Sequence, residues 1–370
     1  MRQLHFELLS PLCPVCRLRQ GVESQLALEE VFSESSGDVV EGLLRCPSPS
    51  CRHEYPIIDG IPMIVPRLRE LVAAWIDRIR ARHSFSEPIE SLLRDCCGPG
   101  SSFHDEHQRL SGSMWDHWGD CDPAEDQDGL LAPRPGAVVR LLHAGLTAAD
   151  ASSPAIGQRP ILDIGCAAGR TTLELAAHLD RPTVGIDLDI SILQHARAIR
   201  DSEEVSYPRR RIGIVYDRRS FSVRGSYAAE TRGLVDYWCC DATALPFRES
   251  VFGLAVSLNN LDCVAAPLTA LQEMIRTLAP AGKAVLATPY DWSSTATPVE
   301  GWIGGHSQRS ELRGAGDRLL RELLQRGGHS SVLEGVRIIA ERPAIPWHVR
   351  LHERSTVQYL CDLIALEKIG

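Results

Sequence analysis

The chain has 370 residues, of which 44% are hydrophobic and 24% charged, and its formal net charge is −9. That length exceeds one ordinary core and predicts two domains or more, while the composition excludes a mainly disordered chain. No apolar run reaches the roughly 18 residues of a membrane span, MRQLHFELLSPLCPVC lacks the layout of a signal peptide, and the acidic balance disfavours a broad nucleic-acid surface; a cytoplasmic protein with no membrane partner is expected.

The twelve cysteines, in a long chain without an export signal, read as metal ligands or buried thiols rather than disulfides. Cys13 and Cys16 stand in CPVC, and Cys46 and Cys51 in CPSPSC about thirty residues later. Two close pairs separated by a long excursion can place four thiolates at the corners of a tetrahedron around Zn2+. Such a site has no open position for water, so the metal would be structural and do no chemistry. The gap in the second pair is wider than the usual two residues, and His53 is an alternative ligand; the other reading is four unrelated buried cysteines. After the second pair, HEYPIIDGIPMIVP carries a YPI-x-DGIP pattern. Over about residues 8 to 66 the chain resembles small zinc-binding domains similar to Trm112. The resemblance implies a module, residues 1–66, that supports a methyltransferase, and a protein partner for the ribbon is one expectation.

Residues 67–150 read as a helical connector or lid with an acidic linker. RLRELVAAWIDRIRARHSFSEPIESLLRD, at 67 to 95, shows apolar residues at helical spacing. SGSMWDHWGD, at 111 to 120, is dense in Trp and His. Packing of Trp115 and Trp118 in a core is one account; an aromatic segment closing over a ligand is the other. DCDPAEDQDG, at 120 to 129, suits an exposed linker.

From about 155 strands alternate with helices. PILDIG precedes a helix at 170 to 179, TVGIDLD one at 190 to 200, LVDYWCCDA a turn, FGLAVSLNNL a helix at 266 to 278, and GKAVLATPY follows. The fold class expected for 151–370 is α/β: a Rossmann-like, doubly wound, mainly parallel sheet, with the small zinc-ribbon domain and the helical connector ahead of it. YPRRRIGIVYDRRSFSVRG, at 207 to 225, reads as a solvated hairpin, since no aromatic stacking platform accompanies its arginines.

In ILDIGCAAGR, Gly165 and Gly169 let the backbone turn tightly and approach a ligand, with Cys166 inside the turn. Asp187, ahead of Leu188 in TVGIDLD, can accept both hydroxyls of a ribose. Asp241, ahead of Ala242 in CCDATALPF, is placed to accept from an adenine amine. Taken singly, each acidic residue also reads as a helix cap or turn residue. A dinucleotide site expects G-x-G-x-x-G; here Ala167 stands where a middle glycine would. The order D-x-G-x-x-x-G, then D-L-D, then D-A-x-x-L-P-F resembles class I S-adenosylmethionine-dependent methyltransferases. By that resemblance Asp163 and the loop at 165 to 169 hold the amino acid part of S-adenosylmethionine, Asp187 its ribose, and Asp241 with Ala242 its adenine.

Acceptor identity is then expected in SLNNLDC at 257 to 263, TPYDW at 288 to 292, EGWIGG at 300 to 305 and IPWHVRLHERSTVQYL at 345 to 360. Together these resemble the methyltransferase domain of ovothiol synthases, which methylates an imidazole nitrogen of a thiohistidine. The likeness covers roughly 155 to 370; Cys263, Trp347 and Leu351 depart from it. An imidazole presents a lone pair on one nitrogen when the other is protonated, so Asp262, Asn259 or Asn260 could select the reactive tautomer. Tyr290, Trp292 and Trp302 could wall the ring, and His348, Arg350 or His352 could meet a substrate carboxylate. Against these stand core roles for Trp302 and Trp347, and a helix-capping role for Asp262. The expected acceptor is an imidazole in a small molecule or peptide. Two competitors are an RNA base methyltransferase that grips phosphates with the arginines at 209–211, 218 and 219, and a cofactor-binding scaffold without catalysis.

Overall fold

The computed structural model describes residues 1–35, 37–72, 96–125, 133–153, 156–325 and 333–369. The N-terminal part carries helices α1 (Gln3–Leu9) and α2 (Pro14–Gln20) and strands β1 (Ala27–Ser35), β2 (Asp38–Arg45), β3 (Glu54–Ile58) and β4 (Ile61–Ile64). Helices α3 (Ser102–Trp118) and α4 (Ala137–Ala148) follow. Then come β5 (Ile161–Ile164), α5 (Arg170–Leu179), β6 (Thr183–Asp187), α6 (Ile190–Ser202), β7 (Glu204–Ile212) and β8 (Val215–Ser222). The remaining elements are α7 (Ala229–Gly233), β9 (Val235–Cys240), β10 (Phe252–Leu258), α8 (Pro267–Thr277), β11 (Leu278–Thr288), α9 (Gly316–Leu324), β12 (Val336–His352) and β13 (Ser355–Lys368).

Strands β5, β9 and β10 are buried along their whole length, as continuous apolar runs require when helices cover both faces. Alternate side chains of β9 serve opposite layers. Tyr237 packs with Leu173, Leu193 and Trp118, and Trp238 packs with Phe247, Ile164 and Leu271. Local chemistry sets the helix starts: Asp189 accepts from the N–H groups of Ser191 and Ile192 at the head of α6, and Pro267 occupies the first turn of α8.

The sheet order is β1-β2-β3-β4-β9-β6-β5-β10-β11-β13-β12. Pairing is parallel from β4 through β11 and antiparallel at both flanks. The chain moves outward from β5 to β6 and β9, then returns to the other side of β5 with β10. That reversal opens a crevice at the carboxyl ends of β5 and β10.

The N-terminal module continues this sheet. β4 pairs in parallel with β9, Met63 against Cys239 and Ile64 against Cys240. Leu12 N–H donates to the Pro246 carbonyl at 2.7 Å, Arg17 grips the Glu273 carboxylate with two nitrogens, and His5 Nε2 donates to the Leu234 carbonyl at 2.9 Å. The ribbon therefore docks on its own chain.

Two expectations change here. The acidic stretch from 120 is no exposed linker as far as Glu125: Asp122 is buried against Arg219, and Glu125 takes both guanidinium nitrogens of Arg350 at 2.8 and 2.9 Å. The arginine-rich hairpin, β7–β8, is paired with carboxylates as well as solvated. Arg209 and Arg211 share Asp217, and the Arg210 backbone N–H donates to Ser111 Oγ of α3 at 3.0 Å. It clamps α3. Of the amphipathic pattern at 67 to 95, residues 73–95 lie outside the described residues.

Candidate cofactor and substrate site

The turn after β5 is built by two glycines that tolerate no side chain. Gly165 has φ +76°, and a Cβ on it would lie 2.5 Å from the Asn260 side chain; Gly169 has φ +77°, and a Cβ there would lie 2.6 Å from the Tyr237 hydroxyl. Gly165 and Cys166 donate their N–H groups to the Ile186 carbonyl at 2.8 and 3.0 Å. Ala167 also takes a left-handed backbone, φ +43°, and its N–H donates to Asp187 Oδ2 at 3.0 Å. Alanine thus holds the turn at the position where a glycine is usual.

Asp187 Oδ1 accepts from the Asp189 N–H at 3.0 Å, and burial pushes the carboxyl pKa up against these amide bonds. Asp163, only 2% exposed, accepts both Thr171 and Thr172 hydroxyls at 2.7 Å. Burial raises it to about 6 in spite of those hydroxyls, and the neighbouring charge of Asp187 adds to the rise.

A cavity of about 760 Å³ opens above this turn, within the size range of small-molecule sites. Asp163, Gly165, Ala167 and Asp187 border one end. Asn259, Asn260 and Cys263, after β10, border the middle, and Trp347, Arg350 and Tyr359 of the β12–β13 hairpin border the far side. Trp347 and Tyr359 stack with ring centroids 5.1 Å apart. Helix α3 forms the roof through Asp105, Arg109, Gly112 and Asp116, spaced four, three and four residues apart along one helix face.

Of the cofactor residues named from the sequence, Asp163, Gly165 and Asp187 meet at this cavity. Gly169 and Cys166 support the turn from beneath. Leu188 is exposed beyond β6, and Asp241, beyond β9, uses Oδ1 to accept from the Thr243 N–H and hydroxyl; neither it nor Ala242 is among the described residues bordering the hollow.

Among the acceptor-site residues, Asn259, Asn260 and Arg350 line the cavity; Asp262, Tyr290 and Trp292 do not. Asp262 neither caps α8, whose N-cap is Ala266, nor faces the hollow. Its Oδ2 accepts from the Asp291 N–H at 2.9 Å and its carbonyl from the Ser293 N–H at 2.9 Å, so it fastens the loop after β11. The expected aromatic wall is corrected likewise. Tyr290 turns its hydroxyl to Asp362, and Trp292 stacks on Trp302, centroids 6.5 Å apart, whose indole N–H is spent on the Thr297 carbonyl. Trp347 and Tyr359 are the wall instead, so Trp347 is not core. Arg350 is committed to Glu125 and lies over Trp115, His348 meets Gln358, and His352 Nδ1 accepts from the Arg354 N–H.

Sequence reasoning passed over Asp105, Asp116 and His117 of the roof; the signal that could have found Asp105 and Asp116 is their spacing on one face of an amphipathic helix, and His117, one position on, carried no such signal. Asp116, 4% exposed, accepts from Trp347 Nε1 at 2.7 Å and from the Val138 N–H at 3.1 Å. Burial raises it to about 7 against those bonds. His117, 5% exposed, is pushed down to about 3 by burial and then by the charge of Arg170, so its imidazole is neutral. Trp115 and Trp118 are core residues, as one of the two accounts expects, and the Trp118 N–H donates to the Ala168 carbonyl at 3.0 Å.

At the far edge of the sheet the sulfurs of Cys13, Cys16, Cys46 and Cys51 lie within 4.8 Å of one another, with Cys13–Cys51 at 3.7 Å and Cys16–Cys46 at 3.6 Å. A tetrahedron with metal–sulfur bonds of about 2.3 Å has edges of roughly 3.8 Å, so this donor set fits Zn2+. His53 stands outside the cluster, tilted on Tyr55.

A doubly wound sheet with a glycine turn under a carboxylate-lined crevice defines a nucleotide-cofactor-binding α/β domain. Residues 162–286 match the family described as "Methyltransferase domain"; this part of the chain is a class I S-adenosylmethionine-dependent methyltransferase domain. No curated protein matches the chain. Among solved structures it is similar to the [4+2]-cyclase SpnF, at 16% identity over 72% of this chain and 95% of that one, TM-score 0.43. It is similar also to the complex of the Haloferax volcanii Trm112 methyltransferase activator with a putative methyltransferase, at 14% over 78% and 100%, TM-score 0.38. A third is the N-methyltransferase NodS of Bradyrhizobium japonicum, at 17% over 63% and 94%, TM-score 0.35. No helix among the described residues is long and apolar enough to cross a membrane.

Proposed function

We propose that the chain is a cytoplasmic enzyme that methylates a nitrogen of an imidazole carried by a small molecule or peptide. The observation that carries this reading is the single hollow joining the Asp163–Gly165–Asp187 turn to the Asn259–Trp347–Tyr359 end. Asp187 is suited to the ribose hydroxyls, the glycine turn to the amino acid part of the cofactor, and Asp241 with Ala242 to the adenine edge.

S-adenosylmethionine, when bound, supplies a methyl group already activated on a sulfonium. What this chain adds is alignment and dryness, worth roughly 7–11 kcal/mol of a barrier when the reactants are well placed. The Trp347–Tyr359 stack offers a flat wall for a ring. The amides of Asn259 and Asn260 can accept from the protonated ring nitrogen and leave the lone pair of the other free. With the cofactor bound, that lone pair would form the nitrogen–carbon bond, the carbon–sulfur pair would stay on sulfur, and the ring would give up one proton to water. Asp262 is a positioning residue in this scheme, acting through the loop it fastens. The tetrathiolate module holds structural Zn2+ and braces β9, the strand that Asp241 follows; an external protein partner is a further use for its outer face.

Incubation with labelled S-adenosylmethionine and, in parallel, histidine, thiohistidine, histidine peptides and RNA tests the reading. Label on an imidazole nitrogen is expected. Label on RNA alone would overturn it. The pairing of Arg209, Arg211 and Arg219 with Asp217 and Asp122 leaves no observation that favours RNA.

A further inference from the structure

Helix α3 and the β12–β13 hairpin give the far half of the cavity a one-sided character. Two arginines border it among the described residues, and no lysine does. Arg109 pairs with Asp189 at 2.6 Å, and Arg350 is held in a two-pronged pair with Glu125. Both positive charges are therefore balanced within the protein. Asp105 borders the cavity on the same helix face but three turns from Asp116, about 16 Å along the axis, so the two cannot meet one charge. Asp116 anchors the Trp347 indole N–H, and each of its oxygens keeps a second lone pair. The third group is independent of these carboxylates: His117, 5% exposed and bordering the cavity, has a buried Nδ1 with no partner among the described residues. A neutral imidazole provides one acceptor lone pair, and the stacked faces of Trp347 and Tyr359 attract cations.

We propose that this half of the cavity selects an acceptor bearing a positive charge apart from the nitrogen to be methylated, received by Asp116, His117 and the Trp347–Tyr359 stack. The inference rests on the reading of the hollow as a methyl-transfer site and narrows the substrate class: an aminoalkyl imidazole fits better than one ending in a carboxylate. A free carboxylate would meet Asp116 with no unbalanced cation among the described lining residues to receive it. The expectation from sequence that Arg350 meets a substrate carboxylate is thereby replaced, since Glu125 already occupies the guanidinium.

The test uses the full chain saturated with S-adenosylhomocysteine and titrated calorimetrically with three imidazoles differing only in the side-arm charge: histamine, histidine and imidazole-4-acetate. Histamine is expected to bind at least about tenfold more tightly than imidazole-4-acetate, with histidine between them. Asp116→Asn should compress that spread, whereas Asp105→Asn, three helical turns away at the exposed rim, should change it little. Leucine at 117, as His117→Leu, should weaken histamine, whereas His117→Gln, which keeps an acceptor, should restore part of the affinity. Equal or tighter binding of the anion, an order that survives in Asp116→Asn, or no binding by any of the three would each overturn the inference. Methyl transfer with S-adenosylmethionine separates the two readings. Ordered binding without transfer to any imidazole would remove the imidazole proposal and leave the charge preference standing; transfer to all three at similar KM would do the reverse.

Discussion

The backbone N–H of Ala167 donates to Asp187 Oδ2 at 3.0 Å, so the carboxylate that borders the cavity also ties down the turn beginning at Gly165. Removing it should act twice, on the ribose and on the loop. Hydrogen bonds to a charged group contribute about 1.5–3 kcal/mol each, so Asp187→Ala is expected to weaken S-adenosylmethionine binding roughly 10- to 100-fold. Titration of the purified variant checks this, and an unchanged Kd would take Asp187 out of the site.

Asp262 should behave in the opposite way. It fastens the loop at 291 to 293 and does not border the hollow. Asp262→Ala is therefore expected to spare cofactor affinity and lower kcat. Turnover at the level of the unaltered chain would show that the loop needs no such anchor.

Asp262 also has a pH signature. Burial lifts its pKa from the usual 3.8 to about 6 against its amide hydrogen bonds. The folded state then holds a proton that the unfolded chain releases between those values. Its contribution to stability is fully present below about pH 4 and is lost as pH rises through 6, a change of about 3 kcal/mol. Asp262→Asn keeps an acceptor for the Asp291 N–H and has no charge to bury. Its Tm relative to the parent chain should therefore rise between pH 4 and pH 7; a difference that stays flat over that range would contradict the argument.

Metal removal should unfold more than the ribbon. The four sulfurs sit within 4.8 Å of one another, while β4 of the same module pairs with β9 of the central sheet. Binding energy of a structural metal is folding energy. Elemental analysis should find one zinc per chain, and both chelation and Cys46→Ser should lower Tm and weaken cofactor binding with it. A chain that loses zinc and keeps its melting curve would refute the coupling.

The arginine-rich hairpin gives a prediction about stability rather than nucleic acid. Arg219 is the partner of the buried Asp122, and a buried carboxylate left unpaired is costly. Arg219→Ala should lower Tm by several degrees and leave RNA affinity, whatever its value, unaltered. A salt-dependent loss of RNA binding with unchanged Tm would reverse the assignment.

What the sequence determined by itself is the set of features encoded over a few residues. Gly165 and Gly169, four apart between an apolar run and a helical one, announce a turn between β5 and α5 because glycine takes left-handed backbone angles without steric cost. Asp163 lies within β5, while Asp187 ends β6 and Asp241 follows β9, the strands that the apolar runs mark out. The cysteine pairs announce a candidate metal site through their spacing, with His53 left as an alternative ligand. Each of these is local, and each could be read without knowing what else lies nearby.

Only the tertiary structure decided which residues border the far part of the cavity. The bond from Trp347 to Asp116 spans 231 positions, and that from Arg350 to Glu125 spans 225; no periodicity links such residues. Hence Trp347 and Tyr359 border the cavity while Tyr290 and Trp292 do not, and the hairpin at 204 to 222 becomes a clamp on α3. The joining of β4 to β9 is likewise a choice between exposed strand edges, made by burial across the whole sheet. Side-chain type fixes what a residue can do, but the packing of distant segments fixes what it meets.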